Sequence, residues 1–280
     1  MIRKFFLENQ YGVRWSLNGP DTGLLVDPDG LGYNMDASYA AVGHSFICNY
    51  MKEKQQEVSG TIVFGTQKPY IACNQFLQFV NAAENLKMVY KTDVGEYYRN
   101  VDLIKFGKSE LTEAKVLECK VGFKCKGLFY ANRLDRFVVS RSEGELRWDF
   151  TWPARFNDYC SRKIIVQNTG HVPAGFELEL YGYCENPVVI VKQDGKELSR
   201  VVFPTILQAG EKILYSSADG NLYCYRVDEE GNQENFSDSL DINNTNFFKL
   251  PVGDSQVEFS SDTGALYQTI MNIYRFYRAV

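Results

Sequence analysis

Over most of this chain, apolar and polar residues alternate with the period of two that marks half-buried strands. The cleanest case is Leu117–Lys126. Leu117, Cys119, Val121, Phe123 and Cys125 fall on one side, and Glu118, Lys120, Gly122, Lys124 and Lys126 on the other. One dry and one wet face is the signature of an antiparallel sheet. Strands are expected at 2–7, 11–17, 45–50, 56–64 and 97–106, the first two short. The polar residues 51–55 read as an exposed turn or hairpin tip between the third and fourth of these. Within 56–64, Val58, Gly60, Ile62 and Phe64 share one face. The period then changes. Phe76, Phe79, Val80 and Ala83 recur at i, i+3, i+4 and i+7, so a helix is predicted over about 69–84, with Pro69 suited to its first turn. No other stretch has so clear a helical period. The run GLLVDPDGLG at 23–32 reads as a short strand closed by glycines that take positive φ.

Beyond residue 131 the pattern loosens (NRLDRFVVSRSEGE, 132–145) and then resumes as short strands with regular turns, the signature of an all-β sandwich. Asp194-Gly195 suits a two-residue type I′ hairpin turn. Residues 228–246 are polar and read as a long exposed loop. The final run, 267–279, is apolar on both faces and reads as a central strand. The expected fold is mainly β in two domains. Residues 1–133 form a β-sandwich or barrel-like domain with one packed helix. Residues 134–145 are a linker, and 146–280 a second β-sandwich.

Composition narrows the function. The chain has 280 residues, 45% hydrophobic, with 18 Tyr and 19 Phe but 3 Trp, and a net charge of −5. That balance argues against a basic nucleic-acid binder. No apolar run approaches the length of a membrane span, and MIRKFFLENQ has no apolar segment behind its basic residues, so neither a transmembrane helix nor a signal peptide is expected. Seven cysteines with no CxxC spacing fit buried free thiols better than a zinc site or a disulfide framework. Neither His44 nor His171 has a partner at ligand or triad spacing. Glu177 and Glu179 share a strand face at a spacing compatible with glycoside hydrolysis, but alternating acids read first as a solvated face. Trp148, Trp152 and Phe156 could stack on a sugar ring, or could wedge between sheets. No catalytic, cofactor-binding or metal-binding residues are assigned. An interaction or structural protein is expected rather than an enzyme.

The succession FFLEN, RWSL, DPDGLG, QQEVSGTIVF, CNQFLQFVNAAENLKMVY, EYYRNVDLIKFGKSEL and VLECKVGFKCKGLFY, in that order over residues 2–130, resembles the distal tail proteins of long-tailed phages of Gram-positive hosts. The resemblance implies a galectin-like second sandwich and a virion protein of the phage tail tip, or baseplate, of a siphovirus. It implies assembly in the bacterial host cytoplasm into a homohexameric ring around a channel through which DNA passes. It implies as partners the major tail protein or tape measure protein, the tail-associated lysin or hub, and a receptor-binding protein. The chain has no room for the large inserted carbohydrate-binding module of some relatives. The alternative is a carbohydrate-binding protein that anchors the particle to the host cell wall through its C-terminal sandwich.

Overall fold

In the computed structural model, described for residues 3–65, 67–131, 135–140, 163–241, 246–262 and 268–280, the chain separates into two units. The first is Met1–Asn132 with Tyr277–Val280, the second Arg133–Phe276. The fold is mainly β with a single α-helix among the described residues.

The first unit contains β1 (Lys4–Glu8), β2 (Arg14–Ser16), β3 (Asn18–Gly19), β4 (Gly23–Asp29), β5 (Met35–Val42), β6 (Ser45–Glu53), β7 (Glu57–Phe64), α1 (Pro69–Asn81), β8 (Leu86–Lys91), β9 (Glu96–Lys108), β10 (Leu117–Cys125) and β11 (Phe129–Ala131). Its main sheet runs β2-β1-β8-β9-β10-β7-β4-β3. The two ends of that path come from one segment, in which Leu17 separates β2 from β3. The sheet therefore curls, but no ladder joins β2 to β3, so it is not a closed barrel. The strand alternation has a simple cause. Leu117, Cys119, Val121, Phe123 and Cys125 are all buried, opposite Phe64, Ile62 and Val58 of β7. Gly122, expected on the wet face, is buried too, because Glu57 lies over it: a Cβ there would sit 2.4 Å from the Glu57 carboxylate.

The helix ends at Asn81, earlier than the apolar period suggests. Its buried line is Pro69, Ala72, Cys73 and Phe76, with Phe79, Val80 and Ala83 half-buried at the margin of the core. Trp15, Phe64 and Phe106 surround Phe76, with ring centroids 6.1, 5.9 and 5.8 Å away. The helix thus closes the core over the inner face of β7 and β10.

The second unit contains β12 (Asp135–Ser140), β13 (Lys163–Asn168), β14 (Phe176–Tyr181), β15 (Cys184–Glu185), β16 (Val188–Gln193), β17 (Lys196–Val202), β18 (Ile206–Leu207), β19 (Lys212–Ala218), β20 (Asn221–Val227), β21 (Gln233–Asn235), β22 (Gly253–Ser260) and β23 (Gln268–Ile273). A six-stranded sheet, β12-β23-β14-β19-β20-β21, faces a four-stranded one, β13-β22-β16-β17. Phe176, Leu178, Tyr215 and Met271 from the first meet Val166, Val189, Val191 and Val257 from the second in one core. This is a β-sandwich. The Asp194-Gly195 turn has positive φ at both positions (51° and 75°), as a type I′ turn requires.

Several expectations change. Residues 135–140, placed in a linker, form a strand paired along its length with β23. That ladder makes β23 a central strand, which explains why its Thr269, Ile270, Met271 and Ile273 are buried on both faces. The polar stretch 228–246 is not wholly exposed. Phe236 and Leu240 pin it into the sandwich core. Residues 51–55 are not a hairpin tip. β6 runs through Glu53, and the tip lies at Gly43-His44, between β6 and the unforeseen β5.

Candidate functional site

Among the described residues, those singled out for chemistry do not assemble into a site. His44 is exposed at the hairpin tip in the first unit, and His171 is exposed in the second. Among the described residues no group of three His, Cys, Asp or Glu side chains could hold a metal. Glu177 accepts a hydrogen bond from the Tyr274 hydroxyl at 2.9 Å. Glu179 accepts from the Tyr181 hydroxyl at 2.6 Å and from Lys212 Nζ at 3.1 Å. Burial and the Glu177 carboxylate push the Tyr274 phenol up to about 12, so it stays protonated and donates. Both acids are half-buried, in a strand whose alternate residues fill the core, as a solvated face predicts. Trp148, Trp152 and Phe156 lie outside the described residues. Cys73, Cys119, Cys125, Cys184 and Cys224 are buried and in no disulfide, and Cys48 is exposed, while Cys160 lies outside the described residues. Burial pushes the Cys119 and Cys224 thiols up to about 12, so they behave as small core hydrophobes rather than nucleophiles.

What the structure does present is a surface. Among the described residues β5 and β6 pair only with each other, joined by the two-residue turn Gly43-His44 with Gly43 at φ +62°. At ~3.4 Å per residue, the eight residues of β5 give an arm roughly 27 Å long. A bulge between Ser38 and Tyr39 adds twist. Nearly all of β6 is exposed, and the arm carries Tyr39, Val42, Phe46, Ile47, Tyr50 and Met51 into solvent, Phe46 at 75%. An isolated two-stranded hairpin is marginal in water. One that exposes six large apolar side chains is an unpartnered interface. The root is well anchored. Lys54 N–H donates to Asn34 O at 2.9 Å, and Arg278 Nε lies 3.4 Å from a Glu53 carboxylate oxygen. Beside the root, Pro28–Asn34 and Lys54–Glu57 line an open cleft of about 600 Å3.

Sequence reading found β6 but not the arm. Met35–Val42 (MDASYAAV) is rich in Ala and has no alternation, since neither face of it meets a core. The usable signal was Gly43 followed by a polar residue between two extended runs. Arg99 was also missed as a buried group. It shares strand parity with buried Val101, the signal that could have found it.

Comparison with known proteins agrees with this architecture. Residues 4–126 match the family described as distal tail protein, N-terminal domain. The whole chain superposes on a chain from the structure of the phage P2 baseplate in its activated conformation with calcium, with a TM-score of 0.59, 15% identity and 100% of both chains covered. It also superposes on the SPP1 Dit protein, described as a paradigm of the hub adsorption apparatus in phages infecting Gram-positive hosts. There the TM-score is 0.63 at 9% identity, covering 96% of this chain and 98% of that one. At such identities the two structures establish the shared fold. No curated protein sequence matches.

Proposed function

We propose, from the premise that the first unit is a distal tail protein N-terminal domain, that the chain is a structural subunit of a phage tail tip. It acts by assembling rather than by catalysis. Six copies form a ring that joins the tail tube to the receptor-binding apparatus and leaves a channel for DNA. Its neighbours are the major tail or tape measure protein on one side, the lysin or hub on the other, and a receptor-binding protein at the periphery. The galectin-like reading of the second sandwich belongs to the same proposal.

The observation that carries it is the β5–β6 arm. Apolar side chains on a free hairpin are destabilising in a monomer and stabilising once a neighbour covers them. A head-to-tail contact, in which each arm lies on the next copy, closes into a ring if the rotation per copy divides the circle. Wild-type protein is therefore expected to sediment as a ring of six, and negative-stain images should show an open centre. Phe46→Ser combined with Ile47→Ser should leave the circular dichroism spectrum of the fold unchanged, because neither residue touches a core. It should shift the protein to monomer. A double variant that still forms rings removes the arm from the interface, and a wild type that stays monomeric at high concentration rejects the ring itself.

A second reading, sugar binding by the sandwich, has one observation in its favour. Tyr223 and Tyr225 stack with centroids 5.4 Å apart on the outer face of the six-stranded sheet, which also carries Glu177, Glu179 and Lys212. Aromatic faces beside carboxylates are the chemistry of sugar recognition. A glycan screen of the full chain should then detect cell-wall polysaccharide and lose it on Tyr225→Ala. No binding by wild type rejects this reading and leaves the first intact.

A further inference from the structure

Arg99 is the largest fully buried side chain in the molecule's described residues, 2% exposed on the inner side of β9. Its Nε donates to Gly127 O at 2.7 Å, and both terminal nitrogens donate to the single Oε1 of Gln56, each at 3.3 Å. The guanidinium carbon lies 4.7 Å over the Phe129 ring. A guanidinium has five N–H groups, so these contacts leave one N–H on each terminal nitrogen unspent. The charge also has no ion-pair partner, although the Glu53 carboxylate is near enough to favour it. Among the described residues no carboxylate lies within ion-pair distance of Arg99. Glu53 in the same cleft is engaged by Arg278 at 3.4 Å, and Asp102, next along the strand from Val101, is engaged by Lys126 at 2.8 Å.

Gln56 makes the second half of the case. It is 8% exposed, and its Nε2 has no hydrogen-bond partner among the described residues. With Oε1 committed to Arg99, Nε2 is a buried donor without an acceptor. Buried polar groups are otherwise almost always paired, and an uncompensated buried charge is strongly destabilising. Arg99 and Gln56 both line a cleft of about 310 Å3 formed by Glu53–Gln56 and Cys125–Leu128. The unspent groups of Arg99 and Gln56 are all donors, so the partner they lack is an acceptor and an anion. The planar fork of a guanidinium matches two oxygens of one carboxylate. Lys54 and Lys126 at the rim favour a negative ligand, while Glu53 disfavours a doubly charged one such as phosphate.

We propose that this cleft is a receptor for a carboxylate, held by the free N–H groups of Arg99 and by the Gln56 amide. The cleft lies at the root of the β5–β6 arm, where its lining begins at Glu53. A neighbouring copy engaged with the arm would bring an Asp or Glu side chain within reach. That source rests on the ring reading, whereas the site itself does not.

The test uses the full chain and Gln56→Glu, which supplies the carboxylate from within and leaves Arg99 in place. Melting temperature is measured in sodium acetate against sodium chloride at equal ionic strength, and assembly by sedimentation. Wild type should melt higher in acetate, and Gln56→Glu should melt higher than wild type in chloride and ignore acetate. If the natural carboxylate is a neighbour's side chain, Gln56→Glu should need about tenfold more protein to assemble, equivalent to about 1.4 kcal/mol. An acetate response with unchanged assembly identifies a free carboxylate ligand instead. No acetate response together with unchanged assembly overturns the proposal. Wild type that never assembles defeats the ring reading alone, and the acetate comparison then decides the site by itself.

Discussion

Phe76→Ala is expected to unfold the first unit near physiological temperature and to abolish assembly with it. Phe76 is fully buried, and its ring is held between helix and sheet by Trp15, Phe64 and Phe106. Truncating such a phenylalanine removes the transfer free energy of the ring and leaves a cavity that its stiff aromatic neighbours fill poorly. The cost is about 3–5 kcal/mol, a large part of the ~5–15 kcal/mol that stabilises a typical domain. Calorimetry should place the first unit's transition roughly 10–20 °C lower. Phe79→Ala is the internal comparison. Phe79 shares the helix but is half-buried at the rim, where it meets Trp15 at a 5.6 Å centroid distance. Its truncation opens a groove to water rather than a sealed cavity, so the loss should be well under that of Phe76. Equal losses for the two variants would mean that the helix seats on the sheet by a different face.

Gly30→Ala should be nearly as damaging for a reason that has nothing to do with hydrophobic burial. Gly30 has φ +86°, and a Cβ there would lie 2.0 Å from the carbonyl oxygen of Glu57 and 3.2 Å from Val58 Cα. Both obstacles are backbone of β7, a strand locked between β10 and β4, so neither can rotate away as a side chain would. Left-handed backbone costs an L-residue roughly 1–2 kcal/mol, and forcing an extra carbon into packed structure roughly 1–3 kcal/mol more. Gly12 isolates the first term, since it has φ +75° but nothing within 4 Å of its Cβ position. Urea unfolding should show a small loss for Gly12→Ala and a loss about twofold or more greater for Gly30→Ala. Because Gly30 also lines the cleft beside the arm root, Gly30→Ala should weaken assembly too. Matching midpoints for the two variants would show that the Gly30 segment moves freely off β7.

Both variants act where local pattern and tertiary contact coincide, and these are the parts of the chain that were legible beforehand. The alternation of Leu117–Cys125 and of Val58–Phe64 marked two adjacent strands, because burial on one face of a sheet leaves a period-two trace. Asp194-Gly195 marked its hairpin, because few residue pairs tolerate positive φ twice. The helix was visible but misplaced by a fraction of a turn. Its amphipathic stripe is wide enough to admit either Phe76–Ala72–Cys73 or Phe79–Val80–Ala83 as the central line. Periodicity reports a face, not which part of that face reaches the bottom of the core. The candidate sites were less legible. Glu177, Glu179, His44 and His171 drew attention by residue type; the two acids are half-buried and hydrogen-bonded on one sheet face, and the two histidines are exposed in different units. Arg99 and the arm drew none, because a lone arginine or an Ala-rich run carries no chemical signature until its surroundings are known.

The sequence by itself determined that this is a mainly β chain with one helix set on a sheet, closed by turns at glycines. Those properties are local, each written in the steric limits of a few residues or in the spacing of apolar side chains that need to leave water. The tertiary structure alone decided that Met35–Glu53 stands away from the sheet as an arm, that Asp135–Ser140 joins the second sandwich instead of linking the two units, and that Arg99 is sealed in without an ion pair among the described residues. Each of these depends on what lies across from a residue rather than beside it. A strand's partner, a buried charge's neutraliser and an apolar surface's cover are supplied by segments far away in the chain or by another molecule, so no reading of neighbours along the sequence contains them.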